Sequence, residues 1–244
     1  MTAAVARRVL SLLDLTNLQD DCTADDVVEL CRRARGPFGR TAAVCVWPRF
    51  VATARQALQG SGVLVATVVN FPHGGTDVEA VLAETTRSLD DGADEIDCVL
   101  PYRAFRSGDI DAARRLLTAV HAQVSGRAHL KVILETGELA DDRLVIEAAR
   151  LAIDCGADFI KTSTGKTSVS ATPAAARSIL EVIASADRPV GFKPSGGIRT
   201  LADAANYLDL ADEIVGPTWA TPSTFRFGAS GLLDAVESVL AASS

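Results

Sequence analysis

Paired cysteines, clustered histidines and long apolar runs are all missing from this 244-residue chain. Its five cysteines are an odd number without a CxxC spacing, so we expect neither a disulfide framework nor a structural zinc site. The three histidines are scattered, whereas metal ligands normally cluster, so no metal site is predicted. No segment approaches about 18 uncharged apolar residues, and the N-terminus is too polar for a secretory signal. These features predict a cytoplasmic protein without a membrane span.

Basic residues are outnumbered by acidic ones. The chain has 24 Lys and Arg against 31 Asp and Glu, which gives a net charge of −7 and a pI near 5.0. An acidic surface argues against a protein that binds nucleic acid or membrane surfaces in general. It leaves room for a local basic pocket that binds a phosphorylated metabolite. With 48% hydrophobic residues, the chain can bury a sizeable core.

Short apolar runs rich in β-formers alternate with amphipathic helical stretches, and no linker or low-complexity segment interrupts them. We predict eight strands, at Leu12–Leu15, Ala42–Trp47, Val65–Asn70, Glu95–Pro101, Leu130–Glu135, Phe159–Ser163, Val190–Lys193 and Glu213–Val215. Helices are predicted at Asp25–Arg35, Arg49–Leu58, Val78–Leu89, Ile110–Val124, Arg143–Cys155, Pro173–Ala184, Leu201–Leu208 and Leu232–Leu240. This alternation indicates a parallel sheet with right-handed crossovers.

The number of strand–helix units favours an α/β fold made of one (β/α)8 TIM barrel, with a short N-terminal helical extension, over residues 1–244. An open doubly wound sheet is the alternative, but no GxGxxG motif follows the first strand. The phrase Gly-Ala-Asp precedes a predicted strand twice, at Gly92–Asp94 and Gly156–Asp158. In both places glycine is expected to end a helix in the left-handed conformation.

Charged residues interrupt strands that should be apolar. Strands of a parallel sheet are covered on both faces, so a lysine inside one must be paired or have a shifted pKa. The exceptions gather toward the C-terminal ends of the strands, where barrels carry their catalytic groups: Asp14, Asp97, Lys131, Glu135, Lys161 and Lys193. We interpret Lys131, with Glu135 one layer above it, as part of an internal salt-bridge network that fixes the barrel register.

Lys161 and Lys193 suggest nucleophilic chemistry. Both are predicted near the barrel mouth, where two like charges are unfavourable unless one amine is neutral. A neutral amine at working pH is a nucleophile. Either lysine could be the nucleophile and the other its perturber, since periodicity does not choose between them.

Glycine-rich segments near the end of the chain suggest a phosphate site. Ser195–Gly197 follows the seventh predicted strand, and Gly228–Ser230 is expected to open the last helix. Glycines let backbone N–H groups approach an anion, and a helix N-terminus adds a favourable dipole. Arg199 and Arg226 could add positive charge there, or could simply lie on the surface.

Four segments are similar to signatures of one enzyme family: NFPHG at Asn70–Gly74, LKVILETGEL at Leu130–Leu139, ADFIKTSTGK at Ala157–Lys166 and GFKPSGGIRT at Gly191–Thr200. On these segments the chain resembles the deoxyribose-phosphate aldolases over nearly its whole length. The resemblance implies a class I aldolase that cleaves 2-deoxyribose 5-phosphate to glyceraldehyde 3-phosphate and acetaldehyde. It also implies a small phosphosugar as substrate, a homodimer, and no metal or organic cofactor.

The resemblance also implies roles for individual residues. Lys161 corresponds to the Schiff-base lysine, Lys193 to the residue that perturbs it, and Asp97 to the proton-relay acid. Further residues are expected to line the substrate pocket or to support the site: Asp14, Thr16, Cys45, Lys131, Thr164, Gly165, Gly196, Gly197, Gly228 and Ser230.

Three departures from the family pattern carry expectations. The chain ends in LAASS, without the terminal tyrosine tail of some members, so slower turnover is expected. Gly231 replaces a second serine, which predicts weaker phosphate affinity. Trp47 stands where a tyrosine often lies and is expected to reshape the pocket near Cys45. The rival interpretations are a transaldolase-like Schiff-base enzyme, a metal-dependent phosphosugar isomerase and a non-catalytic phosphosugar-binding barrel.

Overall fold

The computed structural model describes residues 2–139 and 141–243, and its central feature is a sheet of eight parallel strands. The strands are β1 (Leu13–Asn17), β2 (Ala43–Val46), β3 (Leu64–Val69), β4 (Glu95–Val99), β5 (His129–Ile133), β6 (Phe159–Lys161), β7 (Gly191–Lys193) and β8 (Phe227–Ala229). Their order in the sheet is β8-β1-β2-β3-β4-β5-β6-β7. Between β7 and β8, Phe192 N–H donates to Thr224 O at 2.8 Å and Gly228 N–H to Pro194 O at 3.0 Å. These bonds join the two ends of the sheet, so the predicted barrel is confirmed.

Helices follow the strands and cover the outside of the barrel. Their bounds are α1 (Ala3–Ser11), α2 (Ala24–Arg33), α3 (Val51–Ala57), α4 (Val78–Asp90), α5 (Tyr102–Arg106), α6 (Ile110–Val124), α7 (Thr136–Leu139), α8 (Asp142–Asp154), α9 (Pro173–Ala184), α10 (Leu201–Ile214) and α11 (Leu232–Ala241). Helix α1 is the predicted N-terminal extension; it packs on α10 and α11, and Arg8 pairs with Asp212 at 2.7 Å. Within the described ranges, no helix has the length and apolar character needed to span a bilayer.

The eighth strand lies elsewhere than the sequence suggested. The prediction at Glu213–Val215 is wrong, because Glu213 and Ile214 form the last turn of α10, which begins with a capping box between Thr200 and Asp203. The true β8 has three residues, with glycine at its centre, and so carries no β-rich pattern. Gly228 therefore belongs to β8 and does not open a helix; α11 begins at Leu232, with Gly231 as its N-cap.

The repeated Gly-Ala-Asp motif forms the same helix-to-strand connection at both of its positions. Gly92 and Gly156 have φ of 96° and 94°, the left-handed conformation that glycine adopts without strain. The aspartate that follows then holds the start of the preceding strand. Asp94 Oδ2 accepts from Val65 N–H at 2.9 Å, and Asp158 Oδ2 accepts from Leu130 N–H at 2.8 Å. Each copy thus fixes the register of two neighbouring strands at the N-terminal end of the barrel.

Candidate active site

Seven charged side chains meet inside the barrel, and none is more than 3% exposed. Side chains alternate between the two faces of a strand, so Glu95 and Asp97, two residues apart on β4, share the inward face. We call the group the charged cluster: Asp14, Glu95, Asp97, Lys131, Lys161, Lys193 and Arg226. Its members come from β1, β4, β5, β6, β7 and the residue before β8, so the closed barrel is what assembles it.

Asp97 lies at the centre of three amines. Its Oδ2 accepts hydrogen bonds from Lys161 Nζ at 2.7 Å and from Lys193 Nζ at 2.8 Å. Its Oδ1 accepts from Lys131 Nζ at 2.8 Å. Lys161 and Lys193 are also direct neighbours in register across β6 and β7. The structure therefore brings together the three residues that the sequence singled out for chemistry.

Arg226 closes the other side of the cluster. One of its nitrogens is 2.7 Å from Asp14 Oδ1 and the other is 2.8 Å from Glu95 Oε1. The same acids bind lysines, with Lys193 at 2.5 Å from Asp14 and Lys131 at 2.6 Å from Glu95. The sequence left open whether Arg226 contributes to a phosphate site or lies on the surface. The structure supports neither role, because Arg226 is buried and paired with Asp14 and Glu95. Burying so many charges is tolerated because each is paired and hydrogen-bonded.

The two central lysines differ in their electrostatics. Burial and the nearby Lys193 ammonium lower the pKa of Lys161, although Asp97 acts in the opposite direction. Burial alone would also lower the pKa of Lys193, but Asp14 and Asp97 outweigh it and raise that pKa. Despite its burial, the three lysines hold the pKa of Asp97 well below its usual range. Lys161 is therefore the amine that gives up its proton more readily.

A cavity of about 590 Å³ opens over Lys161. Its walls come from the loops after β1, β6, β7 and β8, at the C-terminal face of the barrel. Seven of the predicted pocket residues line it: Thr16, Thr164, Gly165, Gly196, Gly197, Gly228 and Ser230. The cavity is large enough for a small phosphorylated sugar.

Three other predicted pocket residues lie behind the cavity wall and are fully buried. Asp14 and Lys131 belong to the charged cluster. Lys131 is hydrogen-bonded to Glu95 and Asp97, as expected for a member of an internal salt-bridge network. Cys45 packs with Ala43, Ala66, Val68 and Leu18 in an apolar part of the interior, where burial raises the pKa of its thiol.

The loops around the cavity suit an anion. Gly165, Gly196 and Gly197 have φ between 77° and 83°, a conformation that leaves their backbone close to the cavity. Helix α11 adds an unusual N-terminus. Every other described helix of eight or more residues has a Thr or Asp side chain at its N-cap that accepts an N–H of its first turn. The N-cap of α11 is Gly231, which has no side chain to do so. Its first N–H groups are available to a bound anion.

Glu135 holds the loop that follows β6. Its buried carboxylate accepts from Thr164 Oγ1 at 2.5 Å and from Thr167 Oγ1 at 3.3 Å, and the Thr164 N–H also points at it. Glu135 has φ 58°, a strained value for a residue with a side chain, and burial raises the pKa of its carboxyl group. The Thr164 hydroxyl, which was expected to line the pocket, is thus hydrogen-bonded to Glu135.

Lys166 is a cavity residue that the sequence analysis missed. Its Nζ lies 3.1 Å from Asp20 Oδ1 and 5.8 Å from the centre of the Trp47 ring. Trp47 in turn meets Phe71 edge to face at 5.5 Å. The signal was present in the sequence, because Lys166 directly follows Gly165 in the loop after β6.

Comparisons with known proteins show the family of the chain. Residues 8–235 match the family model described as DeoC/LacD family aldolase. The chain belongs to the DeoC/LacD aldolase family. Over 237 residues it is 55% identical to the deoxyribose-phosphate aldolase of Agrobacterium fabrum, with 97% of this chain and 92% of that protein covered.

Solved structures of similar proteins share the aldolase fold. An apo structure from Toxoplasma gondii ME49, assigned as a deoxyribose-phosphate aldolase, has a TM-score of 0.90 at 29% identity, with 98% of this chain and 97% of that chain covered. A tetrameric deoxyribose phosphate aldolase from Aeropyrum pernix has a TM-score of 0.79 at 26% identity, with 96% and 91% covered. Both likenesses extend over the whole barrel of this DeoC/LacD aldolase.

Gly228 makes room for the charged cluster of this aldolase. A Cβ there would lie 2.6 Å from Ser195 Cβ and 3.1 Å from Lys193 Cε. We predict that Gly228→Ala lowers the free energy of unfolding by about 1–3 kcal/mol, because overpacking forces neighbouring groups to shift. Chemical denaturation would measure this loss. Gly231→Ala is the matched control, since nothing lies within 4 Å of its added Cβ and less than about 1 kcal/mol is expected. Equal losses would contradict the packing argument.

Proposed function

We propose that this chain is a class I aldolase that reversibly cleaves 2-deoxy-D-ribose 5-phosphate to D-glyceraldehyde 3-phosphate and acetaldehyde through a Schiff base on Lys161. The observation that carries the proposal is the Lys161 amine. It opens onto the cavity at 3% exposure and shares one carboxylate oxygen of Asp97 with Lys193. The name of the Agrobacterium relative supports the choice of substrate.

The first half of the reaction forms the imine. The neutral Lys161 amine attacks the C1 aldehyde of the open-chain sugar, and the carbinolamine loses water to give an iminium ion. Burial and the Lys193 ammonium keep the pKa of Lys161 low, which makes the neutral amine available. Asp97, held in its charged form by three lysines, then faces the positive iminium and stabilises it.

The second half breaks the carbon–carbon bond. A base takes the proton of the C3 hydroxyl, the C2–C3 bond electrons move into the iminium, and D-glyceraldehyde 3-phosphate leaves. The remaining enamine is protonated at C2, and water releases acetaldehyde and the free amine. We assign the proton relay to Asp97 and Lys193, acting through water, because both are hydrogen-bonded beside Lys161. Such acid–base help is typically worth about 10²–10⁴-fold.

We assign the substrate phosphate to the glycine loops and the N-terminus of α11. Gly165 and Gly197 offer backbone N–H groups around the same cavity as Lys161, while the Gly196 N–H donates to Gly228 O at 3.4 Å. Ser230 adds a hydroxyl, and Lys166 adds a positive charge on the cavity wall. Holding the phosphate there orients C1 toward the amine, which converts binding energy into proximity.

We propose that residues 1–244 act as a single catalytic domain within a cytoplasmic homodimer. The five cysteines are free and buried, a state that fits a reducing compartment. The tetrameric Aeropyrum relative supports self-association without deciding the number of copies. Light scattering after size-exclusion chromatography separates the dimer from a monomer or a tetramer.

Imine trapping tests the proposed chemistry directly. With acetaldehyde and borohydride, we expect an ethyl group on Lys161, because the imine is reduced to a stable secondary amine. Peptide mass spectrometry locates the modified residue. Product analysis with 2-deoxyribose 5-phosphate supplies the second readout, since acetaldehyde is released only by this reaction and not by a transaldolase-like one. An active enzyme whose Lys161 stays unmodified would exclude the imine route.

A further inference from the structure

The charged cluster is not electrically balanced when all its members are ionised. It contains three carboxylates, Asp14, Glu95 and Asp97, and four cations, Lys131, Lys161, Lys193 and Arg226. One positive charge is therefore in excess among side chains that are at most 3% exposed. An unbalanced buried charge is costly, and a titratable group relieves the cost by changing its protonation. Balance is reached when one cation releases a proton.

The contacts decide which cation releases it. An arginine side chain stays protonated in proteins, so Arg226 cannot. Lys193 lies within 2.8 Å of both Asp14 and Asp97, and Lys131 lies within 2.8 Å of both Glu95 and Asp97. Among the residues that the structure describes, Lys161 has an ion pair with Asp97 alone. Lys161 is therefore the cation that its surroundings stabilise least.

Arg226 is the member that creates the excess. It binds Asp14 and Glu95 at 2.7 and 2.8 Å, on the side of the cluster away from Lys161, and does not line the cavity. Without Arg226, three carboxylates would balance three charged lysines, and Lys161 could keep its proton at no cost in net charge. Glu95 acts in the opposite sense, because removing it leaves a larger positive excess.

We propose that Arg226 and Glu95 are positioning residues that act at a distance, through the net charge of the cluster, to decide how readily Lys161 becomes a neutral amine. The proposal deepens the proposed function and rests on it. Neither residue needs to touch the substrate, since the effect passes through Asp14, Lys193 and Asp97. A charge change is felt across the cluster because its members are at most 3% exposed, and buried charges are poorly screened.

The other charged or titratable groups near Lys161 are unchanged in the Arg226 and Glu95 variants used to test this proposal. They are Asp97 on β4, Lys131 on β5, Lys193 on β7, Asp14 on β1 and the Cys45 thiol on β2, with Lys166 and Arg199 on the cavity wall. Because burial keeps the Cys45 thiol protonated, it contributes no charge near neutral pH. The variants below therefore change one charge at a time.

The test measures how trapping of acetaldehyde on Lys161 by cyanoborohydride depends on pH. Arg226→Met is expected to move the profile to higher pH. Trapping near pH 7 should fall about tenfold, which corresponds to a pKa of Lys161 raised by about one unit. Glu95→Gln is expected to move the profile to lower pH. The double variant, which removes one charge of each sign, is expected to return it to the wild-type position. Arg226→Lys keeps the charge and should leave the profile in place.

The directions in which the pH profiles move distinguish an effect of charge from damage to the structure. Damage to the barrel would reduce trapping in every variant at every pH, and could not produce opposite displacements that cancel. Profiles that coincide with wild type in both single variants, or that move the same way, would overturn the inference while Lys161 still traps acetaldehyde. If wild type itself forms no adduct on Lys161 at any pH, the proposed function fails first. If Arg226→Met does not fold, the displacement in Glu95→Gln alone decides, with a shift to lower pH expected.

Discussion

Lys161→Ala is expected to lower kcat for 2-deoxyribose 5-phosphate cleavage by at least about 10⁴-fold and to abolish the trapped ethyl adduct. The side chain supplies the covalent bond to C1 and the electron sink for cleavage, and no neighbouring amine can replace it. Lys193 is the nearest candidate, but it is fully buried and its pKa is raised by Asp14 and Asp97. Steady-state kinetics with the coupled release of acetaldehyde, together with mass spectrometry, measures both losses.

Lys166→Met is the matched control for this prediction. It also removes a lysine from the wall of the same cavity, but its amine pairs with Asp20 at the rim and does not reach Asp97. We expect acetaldehyde trapping on Lys161 to persist, while KM for the phosphorylated sugar rises about tenfold, consistent with the loss of one charge-assisted contact. Loss of trapping in both variants would contradict the assignment of the nucleophile, since it would mean that removal of either lysine disturbs the cavity.

The barrel could be predicted from strand–helix alternation because most strands are apolar runs between helices with clear ends. The first seven predicted strands overlap those of the structure, and the Gly-Ala-Asp joints lie where the sequence placed helix stops. The eighth failed for a local reason. Phe227–Ala229 has only three residues, and its pairing comes from closure of the barrel, a tertiary effect that the local pattern does not contain. The eighth strand was instead predicted at Glu213–Val215, the C-terminal end of α10.

The centre of the site was predictable because charge inside an apolar strand is conspicuous. Lys161, Lys193 and Asp97 were found in this way, and the structure joins them through one carboxylate. Glu95 could have been found as well, since it lies two residues before Asp97 and so on the same face of β4. Arg226 could not be placed, because its position depends on the strand that was missed.

Asp97→Asn should separate the two halves of the reaction. The change keeps the size of the side chain but removes the charge that raises the pKa of Lys161, so the amine is neutral more readily and trapping of acetaldehyde should persist. Cleavage should suffer, with kcat reduced by about 10²–10⁴-fold, because the relay acid and its charge beside the iminium are lost. Asp94→Asn is the control: it is the same substitution, three residues earlier at the N-terminal end of the barrel, and kcat should stay within about twofold.

The same variant should also show an altered dependence of stability on pH. Asp97→Asn leaves Lys131, Lys161 and Lys193 with two carboxylates, and we expect a loss of about 3–5 kcal/mol in the free energy of unfolding near pH 7. Buried lysines with too few partners have lower pKa values when folded than when unfolded, so the unfolded chain binds more protons. Stability of the variant should therefore recover as pH rises toward the ordinary lysine pKa. Denaturation measured across that range checks the sign, and a deficit that stays constant with pH would show that the lost charge is not its cause.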